Sequence, residues 1–98
     1  MTVDDRLWNL DRFPQRLALW RDREQPPAEV LAVVEEWIPT RRFDPRRGAQ
    51  LERAEDDFWW ARVPGSHYDG QIVICSYWIV AADRVVRCDL FSTLSWPA

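Results

Sequence analysis

The sequence contains no lysine, one histidine, two cysteines and three glycines among its 98 residues. Three scattered glycines exclude a glycine-rich phosphate loop, which needs several glycines at fixed spacing. Two cysteines and a single histidine do not make a zinc site, and no serine or cysteine lies in the sequence of a nucleophile elbow. We therefore expect neither a cofactor nor a metal, and whether the chain catalyses any reaction stays open.

We also expect no secretory signal at the start of the sequence and no membrane-spanning segment. It begins Met-Thr-Val-Asp-Asp-Arg, and the longest apolar run, residues 72–82, is interrupted by Ser76. A membrane span needs roughly 18 apolar residues, so we expect a cytoplasmic protein without membrane contact. A composition of 47% hydrophobic and 30% charged residues predicts one globular domain over residues 1–98, and seven tryptophans provide large core side chains.

Charge is unevenly distributed along the chain. Residues 1–47 hold nine acidic residues and nine arginines, whereas residues 48–98 hold seven acidic residues and four arginines, so the net charge of −3 comes from the second half. A broad basic face for nucleic acid is therefore not expected. One local patch could hold phosphates, nucleic acid or an acidic protein partner, although a solvated loop with salt-bridged arginines is favoured. This patch comprises Arg41, Arg42, Arg46 and Arg47.

Two helices are predicted in the first half of the chain. Pro14 suits the first turn of a helix that ends near Arg23, and a second helix begins at Pro27 and ends at Pro39. The apolar residues of the second helix follow an i, i+1, i+4, i+7, i+8 spacing, so one face is buried. Residues 6–13 form either a short strand or an irregular segment.

Strands are predicted for the rest of the chain. Residues 58–63, 71–81 and 85–93 have strand composition, with a shorter candidate at residues 50–54, and Pro64-Gly65 ends the first of them. The fold class is therefore α+β, with two N-terminal helices packed on a C-terminal three- or four-stranded antiparallel β-meander. Residues 72–81 are apolar on both faces, which predicts a central strand covered on two sides.

The turn between the last two strands predicts their register. If Asp83 and Arg84 are the two loop residues, Cys75 pairs with Ser92. Cys75 and Cys88 then lie roughly 13 Å apart, too far for a disulfide, and both are expected to be free buried thiols.

Each candidate site residue has a purely structural explanation beside the functional one. His67 could act as a general acid or base, or simply lie in a loop. Arg62 and Arg87 alternate out of apolar strands, so they line a sheet face or are ordinary solvent-facing arginines. An acidic cluster could hold a cation, although a solvated turn is favoured, and four strand aromatics could stack bases, although core packing is favoured. The cluster is Glu52, Glu55, Asp56 and Asp57; the aromatics are Trp59, Trp60, Tyr77 and Trp78.

The order of possible strand, two helices, arginine-rich linker and meander resembles the RelE/ParE family of bacterial toxins. The local matches are residues 44–51, 58–63, 72–79 and 84–91, and the likeness covers roughly residues 7–91. The resemblance implies a toxin that cleaves mRNA on the ribosome or inhibits gyrase, bound by an antitoxin. Arg62 and Arg87 would then be catalytic, with His67 as a helper. The tail, residues 92–98, lacks the basic residue or tyrosine that the family's RNases place there.

The alternative hypothesis is a non-catalytic protein-binding domain, such as an immunity or adaptor protein. It suits an acidic chain rich in aromatic residues. Under this hypothesis the partner is a protein. RNA or the ribosome is expected as a partner only if the toxin hypothesis holds. The sequence does not predict an oligomeric state.

Overall fold

The computed structural model describes residues 7–96, which form a sheet and two α-helices. Two short 3-10 helices, Ile38–Arg42 and Ala81–Asp83, complete the secondary structure. The sheet order is β1-β5-β4-β3-β2. The elements in chain order are β1 (Asn9–Asp11), α1 (Phe13–Glu24), α2 (Ala28–Trp37), β2 (Ala49–Arg53), β3 (Phe58–Tyr68), β4 (Gln71–Val80) and β5 (Val85–Ser95).

The predicted α+β class, with two helices packed on a sheet, is confirmed, but the sheet is larger than predicted. It has five strands and is mixed rather than antiparallel, because β1 pairs in parallel with β5. Asn9 lies opposite Val85, and its N–H donates to the carbonyl of Arg84 at 2.9 Å. Three residues are too few for an alternating apolar pattern, which is why the sequence left this strand undecided.

Prolines and left-handed residues bound the helices. Pro14 lies in the first turn of α1, and Gln25, with φ 47°, ends it by donating its N–H to the Arg21 carbonyl at 2.8 Å. Pro27 precedes α2, which continues into the 3-10 helix. In the described part of the chain, no helix is both long and apolar enough to cross a membrane.

The core lies between the helices and one face of the sheet. Phe91 of β5 packs against Phe13 and Trp20 of α1, with both ring-centroid distances at 6.3 Å. Val34 of α2 and Tyr77 of β4 are fully buried in the same cluster. Both helices lie on this face, α1 against β5 and α2 against β3. Neither described helix packs on the other face, yet Ile72 and Ser76 of β4 are buried there as well, at 3% and 8% exposure. The prediction that β4 is buried on both faces is therefore confirmed in part.

Strand β3 continues past Pro64 and Gly65, where the sequence predicted an end. Pairing passes from Arg62 opposite Ile74 to His67 opposite Ile72, so the extra residues of β3 form a bulge. Ser66 is fully buried and bridges the interruption. Its hydroxyl donates to the Val63 carbonyl at 2.6 Å and accepts from the N–H of Val73 at 3.0 Å. The side chain thus replaces the ladder hydrogen bonds that the bulge removes.

The predicted register of β4 and β5 is wrong. The 3-10 helix Ala81–Asp83 replaces the two-residue turn, and a bulge at Asp89 shifts the pairing, so that Tyr77 lies opposite Cys88 and Cys75 opposite Phe91. The two sulfurs are consequently 3.8 Å apart rather than separated along the ladder. Both thiols are free and buried, as predicted. Burial and the neighbouring Cys88 raise the pKa of the Cys75 thiol well above its ordinary value.

Candidate binding face of the sheet

The sheet face opposite the helices, here called the open face, carries mostly apolar and aromatic side chains. Side chains alternate across a strand, so Trp59 packs against the core while its neighbour Trp60 points to the open face. The two tryptophans therefore lie on different faces of the sheet. The tail adds exposed apolar surface, since Leu94 is 38% and Trp96 40% exposed. The register places Phe58, Trp60, Arg62, Ile72, Ile74, Ser76, Trp78 and Leu94 on this face.

A groove of about 390 Å³ runs across the middle of the open face. It crosses from the β2 edge to the bulge in β5. Aromatic and aliphatic side chains form most of its walls, and its polar groups are two carboxylates and one hydroxyl. Its lining residues are Glu52, Phe58, Trp60, Ile74, Ser76, Asp89 and Leu94. We call this the open-face groove.

The bulge in β5 places in the groove a carboxylate that is fixed by a hydrogen bond. Asp89 is the extra residue between the pairs Tyr77–Cys88 and Ser76–Leu90. The Ser76 hydroxyl donates to Oδ2 of Asp89 at 2.9 Å, and Asp89 is half-buried. The sequence did not predict this site, because the alternation of polar and apolar residues from Arg87 to Asp89 is typical of a regular strand without a bulge.

Arg62 is held between two indoles at one end of the open face. Its Cζ lies 4.9 Å from the ring centroid of Trp60 and 5.5 Å from that of Trp96. His67 lies on β3 rather than in the predicted loop, with its ring 5.3 Å from that of Trp96. The structure therefore brings Arg62 and His67 together around Trp96. Nε of Arg62 is buried and meets no acceptor in the described chain.

Arg87 does not join this cluster. Its Nε donates to Oδ2 of Asp11 at 2.8 Å, which ties β5 to β1 at the opposite edge of the sheet. Arg62 lies in register with Ile74 and Ser92, five positions along β5 from Arg87. Strand spacing puts the two Cα atoms roughly 18 Å apart. The three predicted catalytic residues are therefore not assembled into one site.

Arg41 of the predicted basic patch is a core residue, only 4% exposed. Its Nη1 donates to the carbonyls of Pro45 and Arg47, at 3.3 and 2.8 Å, and to the Tyr77 hydroxyl at 3.2 Å. Its Cζ also lies 4.5 Å from the Trp37 ring centroid. Because these contacts hold the linker onto the sheet, Arg41 is unavailable to a ligand. Burial raises the pKa of Tyr77, although Arg41 opposes the shift.

The other three arginines of the patch are exposed. Nε of Arg42 donates to the Trp8 carbonyl at 3.3 Å, and Arg46 lies 3.8 Å from Asp57. Arg47 and Arg62 both line a cleft of about 460 Å³ between the linker and β3. The buried Arg41 lines the same cleft, so two residues of the predicted patch meet one predicted catalytic residue, while Arg42 and Arg46 do not line it.

The acidic cluster mostly serves the turn between β2 and β3. Asp56 accepts hydrogen bonds from Arg53 at 2.8 Å and from the Trp78 indole at 3.1 Å, which lower the pKa of its carboxyl. Asp57 accepts the indole N–H of Trp59 at 2.6 Å. Within residues 7–96, no group of three or more histidine, cysteine or acidic side chains is placed to hold a metal.

Comparisons of the chain with family models, with curated proteins and with solved structures found no match.

Proposed function

We propose that this chain is a non-catalytic protein-binding domain that holds its partner on the open face of the sheet. The supporting observation is that both helices cover one face, leaving the aromatic opposite face without a covering element among residues 7–96. An apolar surface with a polar rim is characteristic of protein interaction sites. Trp60, half-buried beside the groove, is the type of residue that dominates binding energy in such sites.

The arrangement of charged residues supports binding over catalysis. Arg87 donates a hydrogen bond to Asp11, and Arg41 is buried in a hydrogen-bonded network. Arg62 and His67 each lie against the Trp96 ring, at 5.5 and 5.3 Å, whereas an acid–base reaction needs both groups positioned against one substrate atom.

The test is a partner's affinity for variants of the open face. A photo-reactive residue at position 94 identifies the partner by cross-linking and mass spectrometry, after which the purified pair is measured by calorimetry. Trp60→Ser and Leu94→Ser should each weaken binding by roughly 30-fold, since a central hot-spot residue contributes at least about 2 kcal/mol. Leu19→Ser, at an exposed residue of α1, is the matched control and should bind normally. Equal affinities for all three variants contradict the proposal.

A second candidate is the RelE/ParE-like toxin, with an antitoxin as the protein partner and RNA, the ribosome or gyrase as the target. It is supported by the strand, two helices, linker and strands that follow one another in the order on which the resemblance rests. The proximity of Arg62 to His67 also favours it.

Induced expression in bacteria distinguishes the two candidates. A toxin arrests growth, and Arg62→Ala should abolish the arrest while Arg21→Ala, at an exposed position of α1 away from the candidate sites, retains it. Harmless expression of the wild-type chain rejects the toxin hypothesis. Toxicity that survives both Arg62→Ala and Arg87→Ala rejects the proposed catalytic residues.

A further inference from the structure

We infer that the open-face groove receives a cationic side chain, an arginine, from the bound protein partner. The inference rests on the proposed function, because it names the chemistry that the partner presents to the open face. The relevant observation is that the groove is lined by two carboxylates, Glu52 and Asp89, and by no basic residue of the described chain.

Neither carboxylate forms a close ion pair within residues 7–96, although Asp89 also lines a smaller cleft with Arg16 and Arg23. Asp89 is half-buried, and the hydroxyl of Ser76 is its one hydrogen-bond donor in the described part of the chain. Glu52 is exposed and forms no close ion pair or hydrogen bond within residues 7–96, and its charge acts at longer range on the neighbouring Arg53. By contrast, Asp11 and Asp56 each pair with an arginine. A charge among apolar walls is costly unless it is paired, so a partner's cation is the complementary group.

The aromatic walls favour a guanidinium over an ammonium group. Phe58 and Trp60 already accept arginines of this chain against their rings, at 4.6 Å from Arg53 and 4.9 Å from Arg62. Neither arginine lines the groove. A planar guanidinium stacks on such rings and also forms directed hydrogen bonds to carboxylates, which a lysine ammonium does less well. The volume of about 390 Å³ accommodates one long side chain with room for its neighbours in the partner.

The test uses a blocked arginine, Nα-acetyl-L-arginine amide, titrated into ¹⁵N-labelled protein. The backbone amide resonances of Phe58, Trp60 and Ser76 and the indole resonance of Trp60 should shift. The dissociation constant should be millimolar, because a single side chain is the ligand. The neutral isostere Nα-acetyl-L-citrulline amide should bind about ten-fold more weakly. Equal shifts with both compounds, or shifts elsewhere on the domain, overturn the inference.

A charge-matched pair of variants completes the test. The double variant Glu52→Gln, Asp89→Asn preserves the size of both side chains and the hydrogen bond from Ser76. It should weaken the binding of the blocked arginine by about ten-fold. The control Glu35→Gln, Glu36→Gln changes net charge equally at exposed positions of α2, on the opposite side of the sheet, and should bind as wild type does. If the double variant does not fold, the single variant at exposed Glu52 replaces it, with a smaller loss expected. Unchanged binding contradicts the inference.

The outcome is distinguishable from a failure of the proposed function. If Trp60→Ser abolishes partner binding while the Glu52, Asp89 double variant binds the partner normally, the open face is the binding surface but the groove does not take a cation. If neither change affects the partner, both proposals fail.

Discussion

Replacing Arg41 with methionine removes the guanidinium that joins the linker to the sheet. From Nη1 the wild-type side chain makes three hydrogen bonds, to Pro45, Arg47 and Tyr77, and its Nε donates a fourth to the Thr40 hydroxyl at 3.2 Å. Its Cζ lies 4.5 Å from the Trp37 ring centroid. Hydrogen bonds from a charged group contribute about 1.5–3 kcal/mol each, and a desolvated cation–aromatic contact contributes about 2 kcal/mol. All three bonds share one nitrogen and the burial of the charge opposes them, so we expect a net loss of about 3–4 kcal/mol.

Urea unfolding followed by tryptophan fluorescence measures this loss directly. For a domain of this size the corresponding fall in Tm is roughly 12–30 °C, at about 4–8 °C per kcal/mol. Arg42→Met is the matched control, because the neighbouring arginine is exposed and donates one hydrogen bond at 3.3 Å. It should cost less than about 1 kcal/mol. If the two variants are equally stable, Arg41 is a surface residue and our description of the linker is wrong.

Three further predictions concern the bulge, the buried phenol and the thiols. Ser66→Ala leaves the buried N–H of Val73 without its acceptor, so it should cost about 1–3 kcal/mol in urea unfolding, and a cost near zero would show that the bulge is not held by this hydroxyl. The raised pKa of Tyr77 keeps its phenol protonated above pH 10, where the unfolded chain loses the proton. The stabilising contribution of the raised Tyr77 pKa is present below about pH 10 and is lost as the pH rises through that raised pKa. Tyr77→Phe should therefore reduce the fall in unfolding free energy at alkaline pH. An unchanged pH profile contradicts this. Neither Cys75 nor Cys88 should react with a thiol reagent at pH 8 in the native protein, while both react in guanidinium chloride; rapid native labelling contradicts their burial.

Much of the fold follows from local sequence patterns. Prolines at the helix ends and the apolar stripe through Val34 predict α2 closely, because helix period and capping depend on neighbouring residues. The alternation of Trp59 and Trp60 likewise predicts that the two side chains lie on different faces and that at least one is in the core. Strand β1 and the register of β4 with β5 were not predictable in this way, because both depend on contacts between distant segments.

The candidate site depends even more on these long-range contacts. A bulge at Asp89 turns its carboxylate into the groove beside Ser76, and no local pattern identifies the inserted residue. Arg41 was predicted to bind a partner, since four arginines in a polar segment indicate a basic surface. The structure instead uses Arg41 internally, because the carbonyls of the linker need donors. Composition thus identified the arginine-rich segment but not the role of each arginine.

The most direct test of the binding proposal is a chemical-shift map of ¹⁵N-labelled protein with its cross-linked and purified partner. The account predicts that the perturbed resonances lie on the open face, centred on Trp60, Ile74 and Asp89, with the exposed residues of α1 and α2 unchanged. A map centred on the helices, with Trp60 and Asp89 unperturbed, would contradict it.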